Sequence, residues 1–434
     1  MSKPVTERDQ DNYKRMKRTV NVHLSMEAKK TLQSIKEDFP ENPDSMDYFY
    51  DRLGDLYNPE KHEDMWNGKK LIGTLCIQVP EEIIYAAGAV PVRLCSGSYA
   101  TDQVGAEFLP AKSCPLVKST LGMAYLKLLP QYERLSMIVN PTTCDQKKKF
   151  GEMLEEFDDR TITLEVPPVK DSEEARIYWQ RVVKKFVRKI ESVTGEKITR
   201  KSLNLAIRKT GLASAQFRRF YNLRKNEHPL IFGKDAFAVM NTYFFDDIDN
   251  WTEALANLNT DLEKRKENDT YVSTGSNVPR ILFAGSPSIF PNLKLPILVE
   301  QLGGVIVADE SCSSNRFLYD MVAVDEGSLY DMIPAVADRY LKPCTCPNFT
   351  PNTDRERRML EMIDSFAVDG VVYQAFSGCQ LFEIESRKIG RLLEEKGIPM
   401  LYIETDYSPE DKGQLSTRVE AFLETLKARK RRAI

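Results

Sequence analysis

The sequence predicts an α/β protein: two doubly wound parallel-sheet domains with a helical insert and a helical N-terminal extension. Three observations carry this prediction. From Lys70, short apolar runs alternate with helix-forming stretches, as strands joined by crossover helices do. The same texture returns at Arg280. Between about residues 167 and 270 the apolar residues instead recur at helical spacing, and residues 1–60 are charged and helix-prone. The expected divisions are 1–60 for the extension, 61–166 for the first α/β domain, 167–270 for the insert and 271–434 for the second α/β domain.

Taken in order, Met26–Asp38 and Asp44–Leu53 are candidate helices of the extension. Leu71–Val79, Val90–Leu94 and Leu135–Asn140 read as strands or strand edges. Pro80-Glu81-Glu82 opens a helix through Ala87 that stops at Gly88. In the insert, Ile177, Val182, Val183, Phe186 and Ile190 share one helical face, and Gly195 can terminate it. Leu203–Asn222 and Trp251–Lys266 continue the helical texture, and Tyr243-Phe244-Phe245 reads as core of the insert. In the second domain, Ile281–Ala284 is a buried strand, Pro296–Leu302 a helix stopped by Gly303-Gly304, and Val305–Ala308 the next strand. Glu356–Phe366 is a helix, Gly370–Tyr373 a strand, Glu383–Lys396 a helix capped by Gly397, and Met400–Ile403 a strand. Thr417–Lys427 closes the chain as a helix.

Composition narrows the function. Of 434 residues, 42% are hydrophobic and 29% charged, the proportions of an ordinary globular protein. Lys and Arg number 61 against 64 Asp and Glu, a balance of −3 that argues against nucleic acid as the main partner. No apolar run is long enough to span a membrane. Met1 to Arg18 lacks the apolar core of a signal peptide, so a cytoplasmic protein is expected. In that reducing compartment eight cysteines are not a disulfide framework. They are either buried small hydrophobes or metal ligands.

No Cys-x-x-Cys pair occurs, so zinc-ribbon and ferredoxin spacings are absent. Placement says more. Cys144 and Cys379 each follow a strand and precede a helix, and Cys114 precedes Pro115, a favoured first helical residue. Open α/β sheets bind ligands beyond the carboxyl ends of their strands. Helix N-termini there are expected to favour thiolate, the form that ligates iron. Cys312 follows the strand Val305–Ala308, and Cys344 and Cys346 lie in a Pro-bounded loop before a helix. Cys76, in an apolar strand, and Cys95, just after another, read as core packing. His23, His62 and His228 have no ligand spacing. The Glu404/Asp406 pair reads as cap and surface groups. The loop Gly285-Ser286-Pro287-Ser288 is either a crossover turn or a phosphate cradle.

Several blocks resemble the 2-hydroxyacyl-CoA dehydratase and benzoyl-CoA reductase subunit family. They are Pro80-Glu81-Glu82-Ile83-Ile84-Tyr85-Ala86-Ala87-Gly88-Ala89-Val90-Pro91-Val92-Arg93-Leu94, then Cys114-Pro115, Thr143-Cys144-Asp145, and Asp369-Gly370-Val371-Val372 leading to Cys379. The likeness covers roughly residues 65–425. It implies a 4Fe-4S cubane held by Cys114, Cys144 and Cys379, and a separate ATP-hydrolysing iron–sulfur activator that delivers electrons. Consistently, no G-x-x-x-x-G-K-[ST] loop is present.

The closing stretch, Ile403-Glu404-Thr405-Asp406-Tyr407-Ser408-Pro409-Glu410-Asp411 and Thr417-Arg418-Val419-Glu420-Ala421-Phe422, is most similar to the double-cubane-cluster branch. That branch implies a homodimer reducing a small molecule with a double-cubane (8Fe-9S) cluster. Its two cubanes need six cysteines. Loop position nominates Cys312, Cys344 and Cys346 as the second set, with Cys76 or Cys95 in place of Cys312 as the open alternative. The alternatives are a 2-hydroxyacyl-CoA dehydratase subunit with one 4Fe-4S cluster, using ketyl-radical elimination of water, and a non-catalytic electron carrier or cluster store.

Overall fold

The computed structural model describes residues 7–58, 65–275 and 277–433; His62 and residues 1–6 lie outside the described residues. Two four-stranded, wholly parallel sheets form its core. The first contains β1 (Leu71–Thr74), β2 (Val90–Arg93), β3 (Leu135–Pro141) and β4 (Thr161–Leu164), in the order β2-β1-β3-β4. The second contains β5 (Arg280–Gly285), β6 (Val305–Glu310), β7 (Gly370–Phe376) and β8 (Met400–Thr405), in the order β6-β5-β7-β8. Both sheets therefore follow one plan. The chain enters on an inner strand, adds a neighbour on one side, then crosses to the other. The crossing leaves a crevice beyond the carboxyl ends of β1 and β3, and another beyond β5 and β7.

Strands buried on both faces read as continuous apolar runs. Along β5, Ile281, Leu282, Phe283 and Ala284 are fully buried, as are Ile306 and Ala308 in β6. Burying each large side chain of this kind stabilises the fold by roughly 1.5–3 kcal/mol. Those strands were legible. The expected strand Leu71–Val79, in contrast, ends at Thr74, and Leu75–Val79 turns away from the sheet. The Leu75 carbonyl accepts from the Lys147 ammonium and the Cys95 thiol instead of a strand neighbour. Strand β4 was not foreseen; it is a short edge strand buried only at its two ends, Thr161 and Leu164.

The insert is helical, as expected. Glu173–Thr194 buries Trp179, Val182, Val183, Phe186 and Ile190 on one face, whereas Ile177, expected with them, is exposed because it lies more than a quarter turn away from that face. Its start is capped by Ser172, whose hydroxyl accepts from the Ala175 N–H, and it ends at Gly195 with φ +80°. Arg200–Leu223 and Ile248–Glu267 follow. The helix Gly233–Tyr243 escapes a periodicity search because every residue in it is buried, leaving no polar face.

In the extension, the expected helix Met26–Asp38 is the last part of a longer one, Glu7–Glu37. It straddles both lobes. The Tyr13 hydroxyl donates to the Tyr125 carbonyl at 3.0 Å, and Glu27 accepts from the Ala100 N–H at 2.9 Å. Thr31 donates to the Pro291 carbonyl at 2.9 Å, and Gln301 donates to Asp38 at 2.7 Å. No helix among the described residues is long and apolar enough to cross a membrane.

Candidate functional site

Thiols gather beyond the carboxyl ends of both sheets. Cys144 follows β3 and is the N-cap of the helix Asp145–Phe157; its sulfur accepts from the Lys147 N–H at 3.4 Å. Cys379 follows β7 and caps Gln380–Glu395, and Cys114 caps Pro115–Leu126. Cys312 follows β6 within a turn, and Cys344 and Cys346 lie between the helices Leu329–Leu341 and Thr353–Ser365. Cys95 lies just beyond β2. Cys76 sits in the turn beyond β1, half-buried, rather than inside an apolar strand as its sequence neighbours led us to expect. All eight thiols are free.

The two lobes meet through these loops. Cys114 and Cys379 share a hydrogen bond. Gln146 accepts from the Cys114 N–H at 2.8 Å and donates to the Gly378 carbonyl at 2.7 Å, linking the first lobe to the second. Gly378 has φ +79°, and a methyl group there would stand 2.0 Å from the Lys112 carbonyl oxygen. Only glycine permits so close an approach.

Electrostatic interaction extends the set. Cys144 feels Cys379 and Cys76; Cys76 in turn acts on Cys312, Cys344 and Cys346, and Cys95 acts on Cys312. Among the described residues, no three His, Cys, Asp or Glu side chains stand close enough to hold one metal ion.

Against the expectation that helix N-termini favour thiolate, only Cys379 among the six nominated cysteines is lowered, and chiefly by its Cys114 neighbour rather than by its helix N-terminus. There the Cys114 thiol donates to sulfur, the Phe382 and Leu381 N–H groups and the Ser286 hydroxyl add to it, and the thiol is lowered despite burial. At Cys114 the same shared hydrogen bond, followed by burial, pushes the thiol up. Burial also raises Cys144, Cys344 and Cys346, and pushes Cys312 up to about 12. Desolvation of the charged form outweighs the N–H donors at these sulfurs.

Other side chains complete the site. Gln78, in the turn after β1, donates to the Cys344 sulfur at 2.8 Å. Arg316 follows Cys312 and acts on Cys312, Cys344 and Cys346. Tyr407, buried against Phe376, feels Cys114, Cys95 and Cys312. Sequence reasoning missed Gln78, Gln146 and Arg316 as site residues. A glutamine two positions from each of Cys76 and Cys144, and an arginine shortly after Cys312, were the available signals. The loop Gly285-Ser286-Pro287-Ser288 resolves as a crossover turn. Its Ser286 N–H donates to Gln374 at 2.7 Å and its Ser288 N–H to Ser313 at 3.1 Å, so both are engaged within the protein. Glu404 is exposed, and Asp406 accepts from the Ser408 N–H in a turn.

Comparison with known proteins gives a consistent result. The model of the family described as 2-hydroxyglutaryl-CoA dehydratase, D-component, matches residues 76–426, a span that holds all eight cysteines. A putative dehydratase subunit, YjiM, of Escherichia coli (strain K12) is 34% identical over 366 residues, covering 83% of this chain and 92% of that protein. The (R)-phenyllactyl-CoA dehydratase beta subunit of Clostridium sporogenes is 25% identical over 88% of this chain and 99% of its own. A benzoyl-CoA reductase subunit of Thauera aromatica is 22% identical over 80% of this chain and 87% of its own.

Proposed function

From the premise that the chain belongs to the 2-hydroxyglutaryl-CoA dehydratase D-component family, we propose that it is an iron–sulfur reductase. It would receive low-potential electrons from a separate ATP-hydrolysing activator and reduce a small molecule, as a cytoplasmic homodimer sensitive to oxygen. The observation that carries this reading is the junction of thiols between the lobes, fed by strand ends of both sheets. A cluster suits thiols that are near one another yet too far apart for a single ion, because its own irons and sulfides fill the space between thiolates. Cys114, Cys144 and Cys379 would hold one cubane; Cys312, Cys344 and Cys346 would hold the other.

When bound, such a cluster supplies one-electron transfer at low potential. The chain's own residues prepare for it. Gln146 and Gly378 bring Cys379 against Cys114. The Lys147 N–H and the Gln78 amide offer hydrogen bonds to Cys144 and Cys344, donors that also tune potential. Burial of Cys114, Cys344 and Cys346 keeps water from the sulfurs. The dehydratase names among the relatives favour a second reading, a 2-hydroxyacyl-CoA dehydratase subunit with one cubane.

Anaerobic iron and sulfide analysis separates the two: about eight irons per chain for the double cubane against about four for the dehydratase. Cys144→Ala and Cys379→Ala are each expected to lower iron content. Full iron in either variant would remove that residue from the ligand set, and a wild-type chain purified without iron would overturn the reading.

A further inference from the structure

A cavity of about 250 Å³ opens between the helices Arg200–Leu223 and Thr353–Ser365 and the short helix Asn315–Leu318. Tyr319 and Phe366 give it apolar surface, and Arg358 and Glu361 give it charges of both signs. Two polar atoms of its lining side chains are buried with no hydrogen-bond partner among the described residues. They are Asn315 Oδ1, an acceptor, and Arg358 Nη1, a donor.

Asn315 is only 2% exposed, and its amide nitrogen meets nothing better than the Met362 thioether at 3.6 Å. Turning the amide over would set its oxygen against that sulfur, so the oxygen belongs on the unpaired side. Arg358 is fixed elsewhere on its guanidinium. Its Nη2 donates to Asp320 at 3.1 Å, and the group lies over the Tyr319 ring, 5.1 Å from the centroid. Buried polar atoms left unpaired are costly, and a ligand that pairs them recovers that cost.

The two unmade bonds call for opposite partners. A carboxylate suits the oriented guanidinium. An ammonium suits the Asn315 oxygen, with the Glu361 carboxylate and aromatic faces in the same cavity. A nucleotide fits less well, because Arg357 is already held by Glu361 at 2.8 Å and Asp354 at 3.3 Å. The volume lies below the roughly 300–1,000 Å³ usual for drug-sized ligands, so the occupant is small.

We propose that this cavity binds a free α-amino acid with an apolar side chain. Arg358 takes its carboxylate, Asn315 and Glu361 accept from its ammonium, and Tyr319, Met362 and Phe366 cover its side chain. The site does not depend on the iron–sulfur reading.

Isothermal titration calorimetry of the full chain, purified anaerobically, tests this with L-leucine and L-phenylalanine. The comparison ligands are 4-methylpentanoate, which lacks the ammonium, leucinamide, which lacks the carboxylate, and ADP. At least one amino acid is expected to bind, and each comparison ligand to bind about tenfold more weakly or not at all. Arg358→Gln and Asn315→Ser should each weaken the amino acid about tenfold, and Arg358→Lys less than Arg358→Gln. If these variants fail to fold, Glu361→Gln, at an exposed position, must weaken the amino acid more than it weakens 4-methylpentanoate. Binding of neither amino acid overturns the proposal. So does equal or tighter binding of a comparison ligand, or affinity that no folded variant changes.

Discussion

At Gly378 two constraints coincide: a left-handed backbone and a neighbouring carbonyl where a side chain would begin. Gly378→Ala is therefore expected to destabilise the fold by roughly 2–4 kcal/mol, combining strain and forced displacement. Thermal denaturation checks this, and an unchanged midpoint would refute it. Glu81 makes a different residue-scale case. It is buried, and burial raises its carboxyl to about 7 against the pull of Arg93 and the Tyr243 hydroxyl, which donates at 2.8 Å. A raised carboxyl favours the protonated folded state, so its contribution is present at acid pH and is lost as pH climbs to about 7. Glu81→Gln should thus gain on wild type between about pH 5 and about pH 7.5, by up to about 3 kcal/mol. Stability measured across that range decides; a constant difference would discard the assignment. In the sequence Glu81 and Glu82 read only as the first turn of a helix. Their acceptor roles toward Tyr243 and Tyr340 depend on residues far along the chain, which no local pattern encodes.

At the scale of elements, the N-caps at Cys144 and Cys379 were readable because strand, loop and helix succeed one another locally, and the one at Cys114 because Pro115 marks a helix start. The staple that joins two of them was not. Gln146 takes its donor from Cys114 and gives its own to Gly378, contacts that exist only after both lobes have formed. Gln146→Leu leaves a backbone N–H and a carbonyl unpaired and is expected to cost roughly 2–4 kcal/mol. Hydrogen exchange should quicken around residues 112–115 and 377–380; unchanged protection there would mean the staple is idle. The helix Gly233–Tyr243 was illegible for a related reason. Its surroundings are protein on every side, including Ile306, which a methyl group at Gly233 would meet at 2.4 Å. Local pattern registers the contrast between core and water, and this helix has none.

For the molecule as a whole, the double α/β plan was legible from two separate sets of apolar runs. Their meeting face was not, because thiols from one lobe are matched to those of the other only in three dimensions. The long N-terminal helix bonds to both lobes. Leu24 within it is fully buried, and Leu24→Ala should cost about 2–5 kcal/mol. Denaturant unfolding of the variant checks this, and a loss under about 1 kcal/mol would show the helix to be loosely seated. The helix also has a consequence in time. Thr31 and Asp38 are synthesised well before Pro291 and Gln301, so these contacts close only once the second lobe has been made. The nascent chain thus exposes Cys76 and Cys95 before the clasp can close.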